Sequence, residues 1–122
     1  EEIDRVNILR ATQDAMREAA MSLGEPAPQM VLVDGLGFKP FPLPVQFVVK
    51  GDAQSASIAA ASILAKTYRD HLMEEMDRRY PGYGFARNMG YGTAEHLAAL
   101  AKLGPCPIHR RSFGPVAQPV LF

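Results

Sequence analysis

Apolar residues return at helical period near the start of the chain. Leu9, Met16, Ala20 and Leu23 form a stripe with Ile8, Ala11, Ala15 and Ala19 beside it, while Arg5, Arg10, Asp14 and Arg17 lie away from it. The pattern predicts one amphipathic helix from the first residues to Leu23, closed by Gly24 and the Pro26, Pro28 pair. The period then changes. Met30 to Val33 and Gln46 to Val49 are short apolar runs bounded by Gly and Pro, the signature of buried strands. Pro40, Pro42 and Pro44 make the segment between them too stiff for a strand interior. Alanine, leucine, methionine and charged residues in "AQSASIAAASILAKTYRDHLMEEMDRRYP" predict a long helix. Its first turns are small, as suits close packing on a sheet, Asp52 stands at the N-cap position, and Pro81-Gly82 stops it. "GYGFARNMGYGT" reads as a loop, Thr93 as the start of a short helix ended by Gly104-Pro105, and "CPIHRRSFGPVAQPVLF" as an irregular, partly extended tail.

The order helix, strand, strand, long helix, loop, short helix, tail is an α/β pattern with too few strands, because two strands do not make a stable sheet. Residues 1–80 read as a sheet-and-helix core portion and 81–122 as a loop, short helix and tail.

Composition adds limits. The 122 residues, 48% hydrophobic, suit one globular domain. No stretch approaches the roughly 20 apolar residues of a membrane span, no basic-then-apolar leader opens the chain, and a cytoplasmic setting is the expectation. Cys106 is the only cysteine and is read as a small buried hydrophobe, with no disulfide framework to build. The net charge of zero conceals a split: residues 1–77 hold seven Lys and Arg against twelve Asp and Glu, whereas 78–122 hold six against Glu95 alone. A basic second part suits a polyanion, or simply a solvated surface.

The candidate chemistry begins with Asp34 and Asp52, eighteen positions apart, each beside a glycine at or just past a strand end. Asp-Gly is an ordinary turn and Asp an ordinary cap. If the strands run parallel, however, both carboxylates reach one sheet edge, where ligands gather in α/β proteins. The eleven residues from Gly35 to Val45 are near the lower limit for a crossover, so the sequence leaves orientation open. Carboxylates gathered at one point repel unless a cation or proton is shared, and oxygen-only ligands favour Mg²⁺ or Mn²⁺. With a polyanionic partner, the matching chemistry is metal-assisted phosphodiester hydrolysis.

The blocks "EEIDRVNILRAT", "VLVDG", "VVKGDAQSASIAAASILAKTYRD", "YPGYGFARNMGYGTAEH" and "GPCPIHRRSF" together resemble bacterial ribonuclease HII, the type 2 ribonuclease H, across essentially the whole chain. The resemblance implies a ribonuclease H-like fold, here incomplete, with C-terminal strands and helices only. It also implies an endonuclease that cleaves the RNA strand of RNA/DNA hybrids and the 5′ side of single ribonucleotides in duplex DNA. In that family four acids hold two Mg²⁺ or Mn²⁺ ions; the last two correspond to Asp34 in "VDG" and Asp52 in "KGD". Tyr91 in "GYGT" corresponds to the tyrosine that packs on the nucleotide at the RNA-to-DNA junction. The adjacent Asp-Glu pair and the Gly-Arg-Gly loop of the family's first strand have no counterpart in these 122 residues. Little or no nuclease activity is therefore expected of the segment alone, and an uncovered sheet face invites self-association.

Other residues have two readings. Lys50 lies near a scissile phosphate or caps the strand edge; His109, Arg110 and Arg111 fall in a block that the resemblance brings to the active-site face, where arginines contact phosphate. His71 and His96 read as surface or packing residues, and the methionines as core filler. Leu36, Ala53 and the Asn88-Met89 pair depart from the family's usual residues, the last next to Tyr91. The competing reading is a non-catalytic nucleic-acid-binding module.

Overall fold

The computed structural model describes residues 1–38 and 41–117. Pro40 of the proline-rich segment and residues 118–122 of the predicted tail lie outside the described residues. The chain divides into two compact units, Glu2–Leu64 and a second from Ala65 onward.

In the first unit, the single helix expected at the start is two. α1 (Glu2–Val6) and α2 (Ile8–Met21) meet at Asn7, whose φ of 74° ends one helix while its side chain accepts a hydrogen bond from the Arg10 backbone N–H and starts the next. The asparagine side chain supplies the N-cap acceptor and holds a backbone seldom taken by residues other than glycine, so local capping overrides the continuous apolar stripe. Much of the stripe is open: Leu9 and Leu23 are exposed, as are Met21 and Met30, so the core-filler reading of the methionines fails here and holds for Met73 and Met76, which pack on the core of the second unit. Ala20 is the buried residue of α2.

The two strands are β1 (Val31–Asp34) and β2 (Val45–Val48), paired in parallel with Asp34 opposite Val48. Orientation, undecided from sequence, is therefore parallel, and the short link suffices. The ladder is completed outside the strands by Val31 N–H to Pro44 O at 2.8 Å and Gly35 N–H to Val48 O at 3.0 Å. Val33 is buried in β1, whereas Leu32 on the opposite face is exposed, the alternation expected of period two.

β2 runs through Val49 and Lys50 into α3 (Gly51–Gln54), and α4 (Ala56–Arg79) follows. The long helix thus begins later than expected, and Asp52 is not its N-cap. Asp52 lies in the first turn of α3, whose N-cap is Lys50 in the left-handed region at φ 53°. Ser55 is extended and separates the two helices, its hydroxyl accepting from Ile58 N–H at 3.4 Å. The small-residue start of α4 is only lightly covered, with Ile58 as its buried residue. Further along, Ile63 and Leu64 are exposed.

The second unit has a core of Tyr83, Phe85 and Leu100, with Met73, Met76, Tyr80, Ala99, Cys106 and Val116 packed around it. Two stretches expected to be irregular contain helical turns: α5 (Phe85–Asn88) within the glycine-rich loop and, in the tail, α7 (Gly114–Ala117). Between them α6 (Ala94–Leu103) begins as expected, with the Thr93 hydroxyl accepting from His96 N–H at 3.2 Å, and ends at Gly104.

Candidate functional site

Parallel pairing brings the ends of β1 and β2 to one edge, so Asp34, the last residue of β1, and Asp52, four residues beyond the end of β2, belong to the same rim. One contact ties the rim together. Asp34 Oδ1 accepts the backbone N–H of Gly51, the residue before Asp52, at 2.8 Å. Gly51 is buried, and a Cβ there would meet Ile58 Cδ1 at 2.6 Å and Asp34 Cα and Val48 Cβ at 3.4 Å, so a larger residue would have to displace the end of the Ile58 side chain where α3 closes on the strands. Asp34 and Asp52 are themselves exposed, as is Lys50 beside them.

The donor set suits a hard divalent ion in kind but not in number. Two carboxylates at one rim supply oxygen ligands, and Asp34 keeps its second oxygen beyond the bond to Gly51. Among the described residues no group of three or more His, Cys, Asp or Glu gathers where an ion would sit. The rim thus offers two carboxylates, Asp34 and Asp52.

The other candidate residues belong to the second unit. Tyr91 is 62% exposed, with the Arg69 guanidinium 4.7 Å from its ring centroid. Arg110 lies over the Phe113 ring at 4.9 Å, so part of its cationic face is turned to an aromatic neighbour. His109 is half-buried and engaged through both ring nitrogens: Nδ1 accepts the Cys106 backbone N–H at 3.0 Å, and Nε2 lies 3.3 Å from His96 Nε2. His96, buried, has its Nδ1 at 3.1 Å from Tyr83 O. The same His96 nitrogen lies 3.3 Å from the Asn88 amide nitrogen, so it faces both a carbonyl acceptor and an amide donor, whereas His109 Nδ1 meets a backbone N–H that only donates. The two rings meet through their Nε2 atoms, 3.3 Å apart, and stack with their centroids 5.3 Å from each other.

His96 is thus the packing residue expected. Cys106 is half-buried rather than sealed in a core, its Sγ 3.1 Å from His109 Nδ1. Burial, and then the neighbouring His96, hold the His109 pKa below its ordinary value of 6.5. The groups that face the pair are the Cys106 thiol and the Tyr83 and Phe85 rings. A histidine with a lowered folded pKa contributes stability that is complete above the unfolded value and lost as pH falls from about 6.5 toward the folded one, because the unfolded chain binds the proton first. The thermal midpoint of the chain is expected to fall between pH 7.5 and pH 5, and to fall less in His109→Gln. Equal acid sensitivity in the two proteins would remove His109 from that role.

Two residues without a functional reading in the sequence organise the Tyr91 loop. Asn88 is buried, donates through Nδ2 to Tyr83 O at 2.8 Å and accepts Gly90 N–H on Oδ1 at 2.9 Å. Arg69 donates to Met89 O at 3.0 Å. An Asn three residues before a tyrosine in a glycine-rich loop was the available signal for the first; an arginine inside a helical run offers none for the second.

These sequences have close counterparts. Ribonuclease HII of Chlamydia caviae is 54% identical over 120 residues, covering 98% of this chain and 56% of that protein. The ribonuclease HII of Levilactobacillus brevis is 58% identical over 116 residues, 95% of this chain and 44% of its own length. That of Rhizorhabdus wittichii is 58% identical over 123 residues, spanning all of this chain and 60% of the relative. The chain thus spans about half the length of the curated relatives it matches. The family model described as Ribonuclease HII matches residues 1–116, and with it the mixed α/β architecture and the parallel strand pair find their place: the chain belongs to the ribonuclease HII family.

Proposed function

We propose that this chain carries the second half of a metal-dependent endoribonuclease centre together with its junction-binding loop. The whole enzyme would cleave the RNA strand of RNA/DNA hybrids, and the 5′ side of single ribonucleotides in duplex DNA. The observation that carries the reading is the parallel pairing of β1 and β2, with Asp34 Oδ1 on Gly51 N–H directly before Asp52.

In this reading Asp34 and Asp52 are catalytic as metal ligands, two of four acids, for Mg²⁺ or Mn²⁺. When bound, such ions activate water and stabilise the leaving oxygen. Lys50, on a backbone held in the left-handed region, presents an ammonium at the same rim for a phosphate oxygen. Tyr91 offers an exposed aromatic face to the nucleotide at the RNA-to-DNA junction. Arg110 and the His109 segment bear on the duplex backbone, a role the internal hydrogen bonds of His109 restrict to shaping the segment. Among the described residues no helix is long and apolar enough to cross a membrane.

The test is a cleavage assay on a labelled duplex with one embedded ribonucleotide, in Mg²⁺ and in Mn²⁺. The 122 residues alone are expected to give no turnover, and addition of the N-terminal part of a ribonuclease HII to restore it. Normal turnover by the chain alone would show that two acids suffice. Binding of the duplex without restored cleavage would favour the non-catalytic module.

Self-association is a further expectation, because Leu9, Leu32 and Met30 leave apolar surface exposed around a sheet of two strands. Light scattering across a concentration series should show mass rising above that of one chain, and should return to one chain when the N-terminal part is added. A constant monomer mass at all concentrations would refute it.

A further inference from the structure

The Tyr91 loop is held from two sides. On one side Asn88 accepts Gly90 N–H on its side chain and Tyr91 N–H on its backbone carbonyl, at 2.9 and 2.8 Å, while Thr93 N–H reaches Tyr91 O at 2.8 Å. On the other, α4 approaches so closely at Gly90 that a Cβ there would meet Met73 Sδ at 3.1 Å and Arg69 Nη2 at 3.7 Å. Met89 and Gly90 both take positive φ, 49° and 77°, and this turn aims the Met89 carbonyl at α4. Arg69 meets it there. One guanidinium donates to Met89 O at 3.0 Å and lies over the Tyr91 ring, 4.7 Å from its centroid.

That double contact is specific to arginine. A planar fork donates in its plane while presenting a flat, weakly hydrated face to an aromatic ring; a lysine ammonium is a compact, strongly hydrated point charge with no face to lay on the ring. The ring is thereby covered on one side while the residue as a whole remains 62% exposed. From this geometry we infer that Arg69 is a positioning residue for Tyr91: it holds the ring from one face so that the opposite face meets the sugar and base at the RNA-to-DNA junction. The inference rests on the nucleotide contact proposed above for Tyr91. Holding the ring in place beforehand removes part of the ordering that binding would otherwise require.

Two readouts on the full 122-residue chain test it. The first is NMR of Tyr-labelled protein: Arg69→Met should move the Tyr91 ring signals toward their disordered values and lower the order of the Gly90 and Gly92 amides, with far-UV circular dichroism unchanged. Arg69→Lys should follow it rather than rescue it. Tyr91 signals unaltered in Arg69→Met would overturn the inference.

The second readout is affinity for a duplex with one RNA-to-DNA junction, measured by fluorescence anisotropy without added metal. Arg69→Met should weaken binding about three- to tenfold when Tyr91 is present and not at all in Tyr91→Ala. Equal weakening in both backgrounds, or full rescue by lysine, would identify Arg69 as a phosphate contact and overturn the positioning role. If Tyr91→Ala weakens binding and Arg69→Met does not, the inference alone fails. If Tyr91→Ala leaves affinity unchanged, or the unaltered chain does not bind, the junction reading beneath it fails, and the positioning role with it.

Discussion

Asp34→Asn, introduced into an enzyme completed with the N-terminal part of a ribonuclease HII, is expected to lose more than about a hundredfold in cleavage rate with little change in thermal midpoint. Loss of an outer-shell partner alone typically costs about 10–100-fold in metal affinity or activity, and a ligand should cost more. The two effects separate because asparagine keeps one function of Asp34 and removes the other. Its carbonyl still accepts the Gly51 N–H that aspartate accepts at 2.8 Å, so the turn joining β2 to α3 remains tied to β1. What disappears is the negative charge and the second anionic oxygen, which hard cations require. Asp34→Ala removes both functions and should add destabilisation of about 1–3 kcal/mol from the unpaired N–H. Initial rates across a Mg²⁺ titration, with thermal melts of the same samples, check the expectation. An Asp34→Asn enzyme within about threefold of the unaltered rate would exclude Asp34 as a ligand, since less than even an outer-shell partner would have been lost.

The second large effect concerns stability. Asn88→Leu should destabilise the unit from Ala65 onward by about 2–4 kcal/mol, a substantial part of the roughly 5–15 kcal/mol that holds a domain folded. Asn88 is buried and saturated with partners: Tyr83 O accepts from Nδ2, and Gly90 N–H donates to Oδ1. Leucine is close in size but pairs with neither. The His96 ring nitrogen stays 3.1 Å from Tyr83 O, so the group left without a partner is chiefly the Gly90 N–H, and the branched side chain must also fit against His96 and Tyr83. Urea unfolding read by tyrosine fluorescence should move to a lower midpoint. A shift smaller than about 0.5 kcal/mol, ordinary for a surface change, would mean that the loop keeps its shape without the amide.

Much of this architecture is legible in residue order because local signals and tertiary contacts agree. Thr93 starts α6 and Gly104 ends it, as the cap chemistry requires. The two strands fall within a residue or so of the apolar runs. Disagreement arises where a single polar residue interrupts a longer pattern. Asn7 breaks the N-terminal helix despite a continuous apolar stripe, and Lys50 and Ser55 insert a separate turn before α4, which displaces Asp52 from the cap position. The candidate rim is readable in outline for the same reason: a carboxylate beside glycine at each strand end is visible, but strand orientation is a long-range property that no local pattern encodes. The Tyr91 loop divides similarly. Its glycines announce a turn, whereas Arg69 reaches it from within a helix, and the departure at Asn88 proves to be a buried hydrogen-bonding centre.

The two histidines of the second unit are fully engaged with one another and with their surroundings. Cys106 N–H donates to His109 Nδ1, the two Nε2 atoms face each other, and His96 Nδ1 lies between Tyr83 O and the Asn88 amide nitrogen. Neither imidazole therefore offers an open nitrogen to an attacking water, although a histidine beside two arginines is an obvious candidate for a general base. The imidazole pair is instead a joint within the second unit, tying the Cys106 turn to the first turn of α6.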